Sequence, residues 1–373
     1  MAPLEPWEKV LISAEEFIPT VHGQIQCTFC HGGVQAEDKE TAHDGLIARP
    51  SESAAENVCE ACHKDKAGSF ANSLHSTQGG YWAAINARSV PEDHFELQEM
   101  FGNHCESCHT TCGDCHVSQP ASVGGGLIEG HMFNATPSMT RNCTACHGSR
   151  VGNEYLGKNE EVRPDVHFRQ ARMICVDCHT GAEMHAEDAA DMAQAHRYEA
   201  VGTACADCHP NVVDGSDGVE MHTQHVDDLS CQTCHSVSYS SCDNCHLEVS
   251  EETGNPFYKT DGTYLTFYIG KNPLLSATRP YTYVPLRHVP IDPNSYAFYT
   301  GEALQNYDAL PTWVYATPHN IQLETPQNES CEACHGNPDI FLTADKVSEG
   351  ELDANQSVIV EEIPAVDLID SGN

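Results

Sequence analysis

The sequence predicts a mostly irregular, loop-rich fold with short α-helices, a small β-rich insertion near residues 255–300 and a C-terminal strand. Three observations lead there. Aromatic residues make up only 7% of the 373 positions, beside 27 glycines and 20 prolines, too thin a composition for an ordinary core. All twenty cysteines fall in one repeated five-residue pattern. Residues 247–330 hold no cysteine and contain runs rich in aromatic and β-branched side chains.

The pattern is Cys-x-x-Cys-His. Its ten copies are Cys27/Cys30, Cys59/Cys62, Cys105/Cys108, Cys112/Cys115, Cys143/Cys146, Cys175/Cys178, Cys205/Cys208, Cys231/Cys234, Cys242/Cys245 and Cys331/Cys334. The histidines that close them are His31, His63, His109, His116, His147, His179, His209, His235, His246 and His335. Composition alone would produce about 0.07 such units in this length, so the repetition marks the signature of covalent haem attachment. Two thiols add across the vinyl groups of one haem, and the adjacent histidine stands where its imidazole binds the iron. Zinc would need four ligands per ion and gives no reason for a histidine behind every second cysteine. The expected cofactors are ten c-type haems, with short helices wrapped around a porphyrin chain that itself supplies most of the core. No cysteine remains for a disulfide.

The motif starts repeat an order of single, single, close doublet, single: 27, 59, 105/112, 143, then 175, 205, 231/242, 331. ATPSMTRNCTACHG (135–148) corresponds to ATPHNIQLETPQNESCEACHG (316–336). This reads as a duplication. A first five-haem module spans 1–160, a second spans 161–336 with the cysteine-free insertion at 247–330, and an acidic tail follows at 337–373. Within the insertion, GTYLTFYIG and YTYVPLRHV are expected strands. EDHFELQEMFGNH (92–104) puts His94, Leu97, Phe101 and His104 on one helical face, and EDAADMAQAHRYEA (187–200) reads as another helix. The tail's SVIVEEIP has strand character, either folded back on its own domain or added to a neighbouring subunit.

What takes the sixth position on each iron separates an electron carrier from an enzyme. Thirteen histidines lie outside the motifs. The repeat selects His22, His43, His75, His104, His131, His167, His185, His222, His225 and His319 as distal ligands, with His288 the next candidate and His94 and His196 left over. Two imidazoles per iron leave no position open for substrate. The eight methionines are softer competitors, but the histidines suffice in number.

The formal net charge is −37, before haem propionates; at two per haem these add about 20 more negative groups. Such a surface disfavours nucleic acid and anionic membranes and suits cationic partners, metal ions or minerals. No stretch reaches the length of a membrane span. Haem attachment of this kind happens outside the cytoplasm, so an exported protein is expected, extracellular or on the cell surface, with the periplasm second. MAPLEPWEKV lacks the basic start and apolar core of a signal peptide, so the numbering is expected to begin at the mature chain.

At NHCESCHTTCGDCHVSQPASVGGGLIEGHMF (103–133) and TPHNIQLETPQNESCEACHG (317–336) the chain resembles the multihaem c-type cytochromes of bacteria and archaea, decahaem here. Within them it looks most like the extracellular cytochrome nanowires, and the resemblance runs from residue 22 to residue 336. It implies closely packed haems, alternately parallel and T-shaped, and extracellular electron transfer rather than enzymatic turnover. It also implies redox partner proteins, extracellular acceptors such as metal oxides, and head-to-tail polymerisation into a conductive filament through a heterologous contact. In such filaments a histidine of one subunit ligates a haem of the next, a role that falls by analogy to His22, near the N-terminus. Two alternatives remain. One is a multihaem reductase of a small nitrogen or sulfur oxyanion; no Cys-x-x-Cys-Lys unit is present, but Tyr155, Tyr239 or Tyr281 is a candidate for a haem-linked tyrosine. The other is a periplasmic decahaem conduit within an outer-membrane barrel.

Overall fold

In the computed structural model the chain is described over residues 5–51, 58–106, 110–159, 161–187, 202–237, 239–242, 246–260, 263–276 and 279–365. It divides into two compact units that interleave along the sequence. Unit 1 is Met1–Gly80, Cys105–Gly148 and Ile174–Ala200; unit 2 is Tyr81–His104, Ser149–Met173 and Val201–Asn373. The units cut across the sequence division at residue 160: the motifs that start from Cys27 to Cys175 lie in unit 1, and those from Cys205 onward in unit 2.

Unit 1 is a string of short helical turns joined by loops, with one longer helix at Glu60–Phe70. Polar contacts tie the loops together. Asp114, 2% exposed, accepts from the Arg49 guanidinium (2.9 Å), the Thr111 N–H (3.0 Å) and the Thr111 hydroxyl (2.9 Å). Those three donors offset the cost of burying a carboxylate. Asn142 Nδ2 donates to the carbonyls of Asp114 (2.5 Å) and Ser118 (2.9 Å), holding the turn before one motif against another. Gly126 has φ +98°, and a Cβ there would lie 2.8 Å from Lys9 Cβ, so only glycine fits where the N-terminal segment crosses.

Unit 2 contains the strands. β1 (Tyr239–Cys242) pairs antiparallel with β4 (Thr263–Thr266), and β2 (His246–Val249) with β3 (Pro256–Lys259). β5 (Tyr268–Lys271), β6 (Tyr283–His288) and β7 (Trp313–Tyr315) form an antiparallel sheet in that order, with Leu286 opposite both Tyr268 and Tyr315. β4 and β5 occupy the two halves of GTYLTFYIG, and β6 lies in YTYVPLRHV. A Cβ on Gly270 would come within 2.2 Å of Leu286 Cδ1 and 2.9 Å of the Val358 carbonyl, so this glycine sets how closely the C-terminal segment packs.

That segment lies on its own unit. Lys271 N–H donates to the Val358 carbonyl (2.9 Å), Val360 N–H to Leu342 O (2.8 Å) and Leu342 N–H to Ile269 O (2.8 Å). Ile269, Phe341 and Val360 form the buried cluster beneath. The strand expected at SVIVEEIP does not form: Val358 closes a turn onto the Asn355 carbonyl (3.0 Å), and the buried Val358, Ile359 and Val360 are held by single backbone hydrogen bonds rather than a ladder. Asn355, fully buried, fastens the β7 edge by accepting from the N–H groups of Thr312 (3.1 Å) and Trp313 (2.9 Å). The helix His94–His104 buries Leu97, Met100 and Phe101, with Tyr81 and Trp82 against Phe101. The helix expected over 187–200 lies, past Glu187, outside the described residues. Among the described residues no helix is long and apolar enough to cross a membrane.

Candidate functional site

Most described motifs fold as a single helical turn. Cys27–His31, Cys112–His116 and Cys231–His235 are α-helical, as are the shorter Cys175–Cys178 and Cys205–Cys208, and Cys331–Ala333 is a 3-10 turn. One turn brings positions i, i+3 and i+4 to the same side, so both thiols and the imidazole leave on one flank. The variable position before the second cysteine contributes: Asp114, Asp177 and Asp207 accept from the backbone N–H just ahead of their turn, at 3.0, 2.6 and 2.8 Å. Cys108, His109, Cys245 and His196 lie outside the described residues, as does the side chain of Cys242.

The motif at Cys143 departs from this uniform turn. Cys143 ends a wide π-helical stretch, Met139–Cys143, and only Thr144–Cys146 continues as α-helix. Its two thiols accordingly keep different company. Cys143 meets Cys175, whereas Cys146, expected as the second anchor, is exposed, with its Sγ 3.6 Å from the Ser122 hydroxyl. Cys27, Cys62, Cys205, Cys208 and Cys331 are exposed too. At these six the chain does not enclose the thiol: Cys62 stands near the start of the helix Glu60–Phe70 and the others on short turns between loops.

Seven motif histidines face a histidine from elsewhere in the chain. In unit 1 the pairs are His31–His131 (ring centroids 5.8 Å apart), His63–His22, His116–His185 and His147–His75 (each 6.1 Å). In unit 2 they are His209–His167 (6.2 Å), His235–His222 (6.0 Å) and His335–His225 (6.1 Å). The rings are too far apart to touch, yet the separation is nearly constant. The planes vary freely, from 7° in His116–His185 to 79° in His335–His225.

The ring nitrogens explain the pattern. Nδ1 donates to a backbone carbonyl in His31 (Ile47, 2.9 Å), His116 (Asn134, 2.6 Å), His185 (Gly181, 2.7 Å), His225 (Met221, 2.9 Å), His235 (Gln322, 3.1 Å) and His335 (Ala365, 3.0 Å). A carbonyl can only accept, so Nδ1 carries the proton and Nε2 keeps its lone pair. Carboxylates serve the same end at His222 (Asp217, 2.5 Å), His167 (Asp165, 3.1 Å) and His179 (Glu183, 3.1 Å). The Glu183 hydrogen bond holds the His179 pKa above its ordinary value, against desolvation. Burial pushes His22, His75 and His131 below theirs. Metal-bound histidines show the same orientation, the far ring N–H fixed by an acceptor.

Four other expected distal ligands are arranged differently. His104 turns Nε2 to the Tyr299 hydroxyl (2.7 Å), and His288 turns Nε2 to Glu351 (3.0 Å) while stacking on Trp313. Neither offers that nitrogen to a metal. His319 donates Nδ1–H to Thr317 O (2.9 Å). His43 donates Nδ1–H to Lys39 O (2.8 Å), is exposed, and faces no motif histidine among the described residues. The leftover His94 has a buried Nε2 without a hydrogen-bond partner. Among the motif histidines, His246 differs in contacting Glu248 through Nε2 (3.2 Å). Of the tyrosines, Tyr155 donates to the Met173 carbonyl (2.9 Å), and Tyr281 lies against the Cys231 thiol with its pKa pushed up to about 12, chiefly by burial. Sequence reading missed Asp165 and Asp217, although each stands within five residues of the histidine it holds. The carbonyl acceptors leave no sequence signal.

None of the described cysteines is bridged, and thiols of different motifs meet. The Cys59 thiol lies within hydrogen-bond reach of Cys112, Cys143 of Cys175, and Cys205 of Cys231. Burial pushes Cys115 up to about 12, with Cys143 and Cys146 nearby adding, and Cys234 up to about 12, with Cys334 adding. Cys62 contributes to the rise at Cys30. Followed through these neighbours, five of the six motifs of unit 1 stand in the order 27, 59, 112, 143, 175, and three of the four in unit 2 in the order 205, 231, 331.

These residues fit a covalently attached haem. Two imidazoles that bind one iron from opposite faces, with bonds of about 2 Å, have ring centroids about 6 Å apart. The described pairs lie at 5.8–6.2 Å, beside a thiol pair one turn away. Among the described residues no group of three His, Cys, Asp or Glu side chains is placed to hold a metal ion. No protein-family model matches the chain, and neither does any curated protein or solved structure.

Proposed function

We propose that this chain is an exported electron-transfer protein that holds ten bis-histidine c-type haems and assembles head to tail into a filament at the cell surface. The observation that carries the reading is the set of seven facing imidazole pairs, each with a motif histidine on one side and, where Nδ1 is hydrogen-bonded, Nε2 left free. The motif cysteines would anchor each haem. His31, His63, His116, His147, His209, His235 and His335 would hold the near side of the iron, and His131, His22, His185, His75, His167, His222 and His225 the far side. Bound in this way, haem iron supplies one-electron Fe(III)/Fe(II) chemistry.

The chain's residues set the conditions. Paired imidazoles close both axial positions, which favours a carrier over a reductase. Asp165, Asp217 and the backbone carbonyls hold the rings and make Nε2 a better donor. The charge of −37 favours the ferric state, and the thiol contacts support a side-by-side order of sites.

The repeat supports the filament contact. His22 faces the second motif of its module as His167 does in the other, and His75 faces the closing motif as His225 does. His185, which follows the first motif of the second module, faces His116, in the doublet of the first. His43 holds the equivalent position one module earlier, with the same φ −95° and ψ 3° as His185 and the same bond to the carbonyl four residues back. In this reading His43 serves a doublet site of a second copy, whereas His22, assigned that role by analogy, is engaged with His63 of its own chain. Intact mass and a pyridine haemochrome assay on secreted protein should give ten haems per chain, and electron microscopy should show filaments. Protein without covalent haem overturns the reading; haem-loaded monomers overturn the filament alone.

A further inference from the structure

Four consecutive residues, His131-Met132-Phe133-Asn134, touch ligands of three neighbouring sites in unit 1. His131 faces His31 of the first motif. The Phe133 ring stacks on His22, the imidazole opposite His63 of the second motif, at 4.1 Å and 15°. The Asn134 carbonyl accepts from Nδ1 of His116, in the motif that starts at Cys112 (2.6 Å), and the Asn134 N–H returns a bond to the His116 carbonyl (2.8 Å). These are the first three sites in the thiol order of that unit.

The aromatic contacts close a cluster. Phe133 also meets His131 edge-on at 5.5 Å and 75°, while Phe17 meets His131 edge-on at 4.8 Å and lies 6.3 Å from Phe133. His131 Nδ1 is buried and has no hydrogen-bond partner, unlike the Nδ1 of His31, His116, His185 and His225. Its orientation therefore rests on ring packing. The backbone is specialised as well: His131 adopts φ +77°, a left-handed conformation that is strained for a non-glycine residue and persists where surrounding contacts impose it.

We propose that Phe133, seconded by Phe17, is a positioning residue that sets the ring planes of His22 and His131 together, so that two adjacent sites share one orienting element. The proposal rests on the bis-histidine reading. The angle between axial imidazole planes governs the anisotropy of a ferric low-spin EPR signal, and the two sites concerned stand at 26° and 48°. Aromatic edge and stacking contacts favour particular relative ring orientations and so choose among ring rotations.

The test is low-temperature EPR and protein-film voltammetry of the full haem-loaded chain. Phe133→Leu is expected to move two low-spin signals together and shift the potentials of two haems, with ten haems retained. Phe133→Tyr, which keeps the ring, restores the wild-type spectrum, and Phe17→Leu, tested separately, moves the His131 signal alone. A Phe133→Leu spectrum superimposable on wild type overturns the proposal while leaving the haem reading intact. Movement of a single signal overturns the coupling. A wild-type chain that carries no haem overturns the underlying reading, and the positioning role with it.

Discussion

Among the described residues of unit 1, Ala186 is the one buried apolar side chain, whereas unit 2 buries Leu97, Met100, Val284, Leu286, Leu342 and Val358 at 0% exposure. Unit 1 does not lack apolar residues. Trp7, Leu11, Ile18, Val21 and Phe29 belong to it and lie 52–82% exposed. Burial of one such side chain contributes about 1.5–3 kcal/mol, while ordering each backbone residue costs about 1–2 kcal/mol, so a unit with so little burial cannot hold its fold by side-chain packing alone. The difference teaches where the cofactors matter most. Unit 2 has a sheet with a hydrocarbon core; unit 1, in the proposed reading, is completed by porphyrin faces against those bare side chains.

The largest effect should come from withholding haem. A chain produced without haem attachment is expected to lose unit 1, with cleavage of its segments under limited proteolysis faster by on the order of a hundredfold, about 3 kcal/mol of lost protection. A fragment containing β5–β7 and the C-terminal segment should persist. Equal cleavage of both units would erase the contrast. Conversely, Leu286→Ala should cost unit 2 about 2–5 kcal/mol by leaving a cavity under β6. Calorimetry should show one transition lowered, with the visible spectrum of unit 1's sites unchanged.

Ligand substitutions sharpen the comparison at finer scale. His185→Ala is expected to convert one site of the isolated chain to high spin, read by EPR or magnetic circular dichroism. His43→Ala should leave the spin states of the isolated chain as they are in the unsubstituted monomer, because the site it serves belongs to a second copy, and should suppress filaments, scored by electron microscopy. A high-spin signal that His43→Ala adds to the monomer spectrum would show that it serves its own chain. The smallest change is Asp217→Asn. A neutral acceptor on His222 Nδ1 makes the imidazole a weaker donor and stabilises ferric iron less, so one potential should rise by tens of millivolts in film voltammetry. Unchanged potentials would show that the carboxylate only orients the ring.

In the proposed reading, covalent attachment makes half of each candidate site legible in the sequence. Cys27, Cys30 and His31 would have to sit within one helical turn to hold one haem, so their spacing would be a chemical requirement. The facing histidine obeys no such rule. His131 lies a hundred residues beyond His31, and only loop packing decides that these two meet. His104, directly before Cys105, looked equally suitable until Tyr299, 195 residues away, took its Nε2. His288 is likewise committed to Glu351, 63 residues away. Local pattern did better with secondary structure: the helical spacing of Leu97 and Phe101 and the aromatic and β-branched content of YTYVPLRHV (281–289) mark elements that bury Leu97, Phe101, Val284 and Leu286. The shape of the units was not legible, because segments 81–104 and 149–173 leave their sequence neighbours to pack with the C-terminal half.

The meeting of Cys59 with Cys112, Cys143 with Cys175 and Cys205 with Cys231 has a consequence for how the molecule is made. In an oxidising compartment, free thiols held in contact are primed to cross-link. A chain that collapsed to this arrangement before receiving its prosthetic groups would seal neighbouring attachment points to each other. In the proposed reading each thiol is capped while the chain is still open and compaction follows, so that the finished fold is reached from the modified polypeptide.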